Sequence, residues 1–153
     1  MRTQSLASFM IVSTVLLTGG EIRLGVAASA ADHAGIIQQR IALMKENGKL
    51  LKAIKEGLQG QDLQAVAVAA QRLADNGRKI PTLFPEGSTS PDSRAKPEIW
   101  QQWKTFVAAA KAMEQAAAAL EEVAATKDAK ATFNQFRAVI KACGSCHKPF
   151  RAP

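Results

Sequence analysis

The sequence contains no tyrosine, and neither of its two cysteines lies outside the last eleven of its 153 residues. No stretch alternates apolar and polar residues with period two, so no half-buried strand can be read from it. The Lys and Arg residues are scattered rather than clustered, and no nucleic-acid motif accompanies them. Long apolar runs are missing too. The richest, Leu6 to Leu17, is short and interrupted by Ser and Thr, too short for a permanent bilayer-spanning helix.

That run suits a different role. Arg2 supplies a small positive start, Leu6 to Leu17 the apolar centre, and Ala28-Ser29-Ala30 the small-x-small pattern of a signal-peptidase site. Residues 1–30 are therefore expected to be a cleaved signal peptide, and 31–153 a soluble single domain without a membrane segment. Glu21 and Arg23 make the region before the cleavage site long and charged; the competing reading is a retained anchor. Removing Arg2, Glu21 and Arg23 lowers the formal net charge from +7 to +6. A moderately basic surface steers acidic partners towards it.

Four segments carry apolar stripes with steps of three and four. The first runs Ile37, Ile41, Met44, Gly48, Leu51, Lys55, Leu58, and the second Leu63, Val66, Ala70, Leu73, Gly77, Ile80. The third runs Trp103, Phe106, Ala110, Met113, Ala117, Leu120, Ala124, and the fourth Ala129, Phe133, Phe136, Ile140, Cys143, His147. Such spacing puts side chains on one helix face that must find a partner. Gly57 and Gly60 are read as stopping the first helix, and Asp62 as capping the second. Pro81 and Pro85 end the second and open a long loop to Lys96. Pro97 and Glu98 start the third, and Thr126 or Asp128 caps the fourth. Connections that are short, long and short predict an all-α, antiparallel four-helix bundle. Its core is thin in large residues, with Ala116 to Ala119 an unbroken alanine run, which leaves room for a large apolar cofactor.

Cys143-Gly144-Ser145-Cys146-His147 is the chemically specific feature. On a helix turning about 100° per residue, the two thiols and the imidazole fall within an arc of about 100°. That arrangement suits two thioether bonds to the vinyl groups of one haem, with His147 as iron ligand beside them. A thioredoxin-like motif would follow a strand, and none is expected here. A zinc site would want a fourth ligand, and His33 is the only other histidine. The expected cofactor is one covalently attached haem c. Met44 and Met113 both fall on inward stripes; from spacing alone Met44 is an iron ligand or a core filler, and Met113, in the middle of a long helix, is a core methionine. Leu43 would cover the iron if the first helix were rotated by one position.

The chain resembles class II cytochromes c, the cytochrome c′ family, in its C-terminal CxxCH, in Arg151 four residues beyond the histidine, and in the bundle length. Leu83-Phe84-Pro85-Glu86-Gly87-Ser88 and Lys96-Pro97-Glu98-Ile99-Trp100 match as well. Pro149 departs from the family pattern and is expected to end the last helix just after His147. The resemblance aligns Arg40 and Met44 with the position covering the distal iron face. In one branch of the family that residue is apolar, the iron is five-coordinate, and gases such as nitric oxide bind. In the other it is methionine, the iron is six-coordinate, and the protein carries electrons. Met44 places this chain in the second branch.

The resemblance thus implies a periplasmic one-electron carrier, not an enzyme, with His147 and Met44 as iron ligands and Cys143 and Cys146 as thioether anchors. A guanidinium can hold a carboxylate bidentately, so Arg40 and Arg151 are read as propionate contacts or as ordinary surface charges, and Phe84, Trp103 and Phe136 as porphyrin packing or plain core. Redox proteins of the same compartment, acidic ones in particular, are the expected partners, and monomer and homodimer are both compatible. The alternative is a five-coordinate protein that binds or sequesters nitric oxide or carbon monoxide.

Overall fold

The structure, a computed structural model, describes residues 24–153, with side chains from His33 onward. Arg2, the apolar run, Glu21 and Arg23 of the expected signal peptide lie outside these residues. The helices are α1 (Leu24–Gln59), α2 (Leu63–Lys79), α3 (Glu98–Gln101), α4 (Trp103–Ala125) and α5 (Ala129–Phe150), with a 3-10 turn at Pro81–Leu83. Among the described residues the only β-type pairing is a single antiparallel bridge between Ala95 and Arg151. The chain is all-α, and its four long helices form the expected bundle.

The caps follow the sequence. Asp62 accepts from the Ala65 amide at 2.9 Å and Asp128 from the Ala131 amide at 2.9 Å, each satisfying an N–H that has no partner within its helix. Gly57 does not stop α1, which continues to Gln59. A Cβ there would lie 2.8 Å from Val66 Cγ2 and 3.1 Å from the Asp62 carbonyl oxygen, so this glycine lets α2 cross closely. The third helix is split: Gln102 (φ −119°, ψ 42°) leaves helical geometry between α3 and α4. Pro149 does not end α5 either. It removes one amide donor, but the Arg151 N–H still closes on the His147 carbonyl at 3.0 Å, so the last turn survives to Phe150.

The α2 and α4 stripes lie where the sequence puts them, except that Trp103 is 38% exposed. The other two are rotated by one position. On α1 the buried side is Ile37, Arg40, Leu43, Asn47, Leu50 and Ile54. Two of these are polar and tolerated because they are bonded: Asn76 donates to Asn47 at 3.0 Å, and Arg40 donates to Ser88. On α5 the buried positions are Thr132, Val139 and Phe150, while Phe133 and Ile140 stand 53% and 46% exposed. The Thr132 hydroxyl bonds the Asp128 carbonyl at 2.6 Å, and Gln135 donates to the Ala116 carbonyl at 3.0 Å. A pattern read from apolar residues alone cannot see polar groups satisfied inside.

Alanine and glycine bring α2 and α4 close together, Gly77 packing on the Glu114 backbone. α1 leans on α2 and α5 on α4, whereas α1 and α5 touch only sparsely. The end of α2, the start of α4, the end of α5 and the long loop meet at one end of the bundle, and a cavity opens there between α1 and α5.

Candidate haem site

The cavity measures about 340 Å³, within the range of small-molecule sites. α1 lines it with Arg40, Ile41, Met44 and Lys45, and α5 with Cys146, His147, Phe150 and Arg151. Ile80, Phe84, Ile99 and Phe106 form its apolar floor, and Asp92 to Ala95 of the long loop its remaining wall. Although α1 is rotated, Leu43 turns into the core and Met44 borders the cavity, half-buried. Met113 is a buried core residue of α4, away from the lining.

Cys143 and Cys146 are free thiols, half-buried on α5 and packed against the core. Burial pushes the Cys146 thiol up to about 11, with the neighbouring Cys143 adding to the shift. Burial raises Cys143 too, opposed by a backbone hydrogen bond. Both shifts favour the protonated thiol at neutral pH. His147 is held below its ordinary value, by partial desolvation first and then by the positive charges of Arg151 and Arg94. The neutral imidazole so favoured is the form that binds a metal.

Arg40 is buried, and it spends hydrogen bonds on the loop. Its guanidinium donates to Ser88 Oγ at 2.9 Å, to the Ser88 carbonyl at 2.6 Å and to Ser93 Oγ at 2.5 Å. The same group lies 4.7 Å from the Phe84 ring centroid, a cation–π stack. Burial lowers its pKa, but a guanidinium remains charged at any physiological pH. Phe84 meets Phe106 edge-on at 4.9 Å, and Phe106 meets Phe150 at 5.4 Å. Trp103 and Phe136 do not line the cavity. The Trp100 indole donates to the Phe84 and Pro85 carbonyls at 3.1 and 2.9 Å, joining the two sequence stretches Leu83–Ser88 and Lys96–Trp100.

Sequence reasoning missed Arg94, Ser88 and Ser93. Arg94 joins Arg40, Lys45 and Arg151 around the cavity, where Asp92 is the one acid in the lining. A surplus of cations beside an aromatic floor suits a flat apolar group carrying carboxylates. Cys146, His147 and Met44 line the cavity, and Cys143 lies one helical turn before Cys146, outside the lining. A thiol pair and an imidazole so arranged on α5 fit haem c, which Cys143 and Cys146 would hold covalently.

The profile of the family described as Cytochrome C′ matches residues 35–151. Cytochrome c′ of Rhodopseudomonas palustris is 33% identical over 127 residues, covering 80% of this chain and 86% of that protein. Cytochrome c-556 of Agrobacterium fabrum is 33% identical over 128 residues, covering 81% and 86%. The solved structure of cytochrome c′ from Rhodopseudomonas palustris aligns with a TM-score of 0.70 at 33% identity, over 77% of this chain and 96% of that one. Sequence, fold and donor set agree: the chain belongs to the cytochrome c′ family and carries one covalently attached haem c.

Proposed function

We propose that the protein is an exported one-electron carrier whose haem iron lies between His147 and Met44. One observation carries the reading: Met44 on α1 and His147 on α5 line the same cavity. The bound haem supplies a metal centre whose charge changes by one electron. Around it Cys143 and Cys146 would anchor, and the lowered pKa of His147 favours the neutral form that donates to iron. Met44 offers a soft thioether that favours the reduced state and raises the potential. Arg94 and Arg151 are placed to meet propionates, with Arg40 contributing through whatever donors the loop leaves free.

The partner is read from α5. Its charged residues Lys130, Arg137, Lys141 and Lys148 are all basic and exposed, and no ion pair among the described residues engages them. A redox protein with an acidic surface fits that side of the helix. Cleavage after Ala30 and a periplasmic location complete the proposal; the family match begins downstream, at residue 35. Intact mass of the exported protein tests the cleavage.

The opposing reading is a five-coordinate protein that binds nitric oxide or carbon monoxide. Met44→Leu separates the two. Under the His/Met reading the variant turns from low to high spin and its ferrous form binds carbon monoxide much faster. Unchanged spin state and binding rate in Met44→Leu would exclude Met44 as a ligand.

A further inference from the structure

The two walls of the cavity have little direct contact, because α1 packs on α2 and α5 on α4. One segment is hydrogen-bonded to both. On the α1 side, Ser88 and Ser93 accept from the Arg40 guanidinium. On the α5 side, the Lys96 N–H donates to the Phe150 carbonyl at 3.0 Å and the Ala152 N–H to the Arg94 carbonyl at 2.8 Å. Arg94 Nε also donates to the Ala152 carbonyl at 3.2 Å, and Ala95 pairs with Arg151.

Ser93 joins the two halves. Its hydroxyl oxygen accepts from Arg40 and also from the Ala95 N–H at 3.2 Å. The result is a chain of contacts that links Arg40 through Ser93 to the loop backbone at residues 94–96, whose hydrogen bonds to Phe150 and Ala152 bracket Arg151. Arg40 sits one helical turn before Met44, and Arg151 one turn after His147. Each end of the chain is therefore tied next to one of the two side chains proposed to meet the iron.

We infer that Ser88–Lys96 is a positioning strap, with Ser93 its central link, which sets the separation between the Met44 and His147 walls and thereby access to the distal side of the iron. The buried Arg40 guanidinium makes the α1 attachment strong, since charge-assisted hydrogen bonds in a desolvated site exceed neutral ones. On this account Arg40 is chiefly a positioning residue rather than a dedicated propionate ligand. The inference rests on the His/Met reading for its spectroscopic consequence but not for its effect on ligand access.

The test uses the haem-loaded protein and four variants. Ser93→Ala breaks the link without changing charge, and Ser93→Thr keeps the hydroxyl. A chain ending at Arg151 removes the Ala152 attachment. Val66→Ala, in the core at the far end of α2, lowers stability alone. Carbon monoxide association to the ferrous protein is expected to rise about tenfold in Ser93→Ala and in the truncated chain, the order expected for losing one hydrogen bond to a charged group. The ferric high-spin fraction should rise with it. Ser93→Thr should restore both, and Val66→Ala should leave both at wild-type values despite a lower Tm. Wild-type association rates in Ser93→Ala and in the truncated chain, or an equal rise in Val66→Ala, would overturn the strap. A wild-type protein that is already high-spin would instead sink the His/Met reading, and the association rates would still decide the strap.

Discussion

Met44 and Leu43 are neighbours on α1 with different surroundings: Leu43 is buried in the core and Met44 borders the cavity. A reading based on burial would choose Leu43 to face a cofactor, and the sequence resemblance chooses Met44. Met44 lines the cavity, whose wall lies at the edge of the buried stripe, and Leu43 does not. His147 is arranged by charge as well as by position. Partial desolvation first, and then Arg151 and Arg94, disfavour a proton on its imidazole, so with iron bound there acid would have to reach a lower pH before it competed for that nitrogen. Replacing Arg151 by Gln removes one of those charges and lets the proton affinity rise. The acid transition of the ferric protein should therefore move to higher pH, as read by titrating its absorption spectrum; a shift to lower pH would contradict the assignment. At this scale the CxxCH motif and the haem it implies were legible in the sequence. Arg94, Ser88 and Ser93 were not, because their roles come from a loop folding back over residues 40 and 150 and from no local pattern.

At the scale of helices, Gly77 makes the α2–α4 contact possible. A Cβ there would lie 3.0 Å from the Cα and Cβ of Glu114 and from Met113 Sδ. Gly77→Ala should cost about 1–3 kcal/mol, as overpacking of a close contact does, measured by denaturant unfolding. The α5 register gives a sharper contrast. Phe133→Ser and Ile140→Ser, at exposed positions, should change stability by no more than about 0.5 kcal/mol. Val139→Ala, at a fully buried one, should cost about 2 kcal/mol. The reverse order would restore the apolar stripe expected from the sequence. Helix number, caps and the long connection were readable because they depend on local chemistry: Asp62, Asp128, Pro81 and Pro97. The faces of α1 and α5 were misread by one position because Arg40, Asn47 and Thr132 are buried with their polar groups bonded. Hydrophobic periodicity assigns such residues to the surface.

Across the whole molecule, the bundle holds two walls apart and the loop ties them, which leaves room at one end for a cofactor that the thin alanine-rich core would otherwise lack. The all-basic exposed side of α5 adds a long-range positive field along that helix. Electron exchange with an acidic redox protein should therefore slow as ionic strength rises, and slow further in Lys141→Glu at low salt; stopped-flow kinetics read both. An uncharged reductant should show neither effect. The central claim, that His147 and Met44 both bind the iron, is tested most directly by the absorption spectrum of the unmodified haem protein in its ferric and ferrous states. The account predicts low-spin spectra in both, with the charge-transfer band of a thioether-ligated ferric haem. A high-spin, five-coordinate spectrum in either state at neutral pH would contradict it.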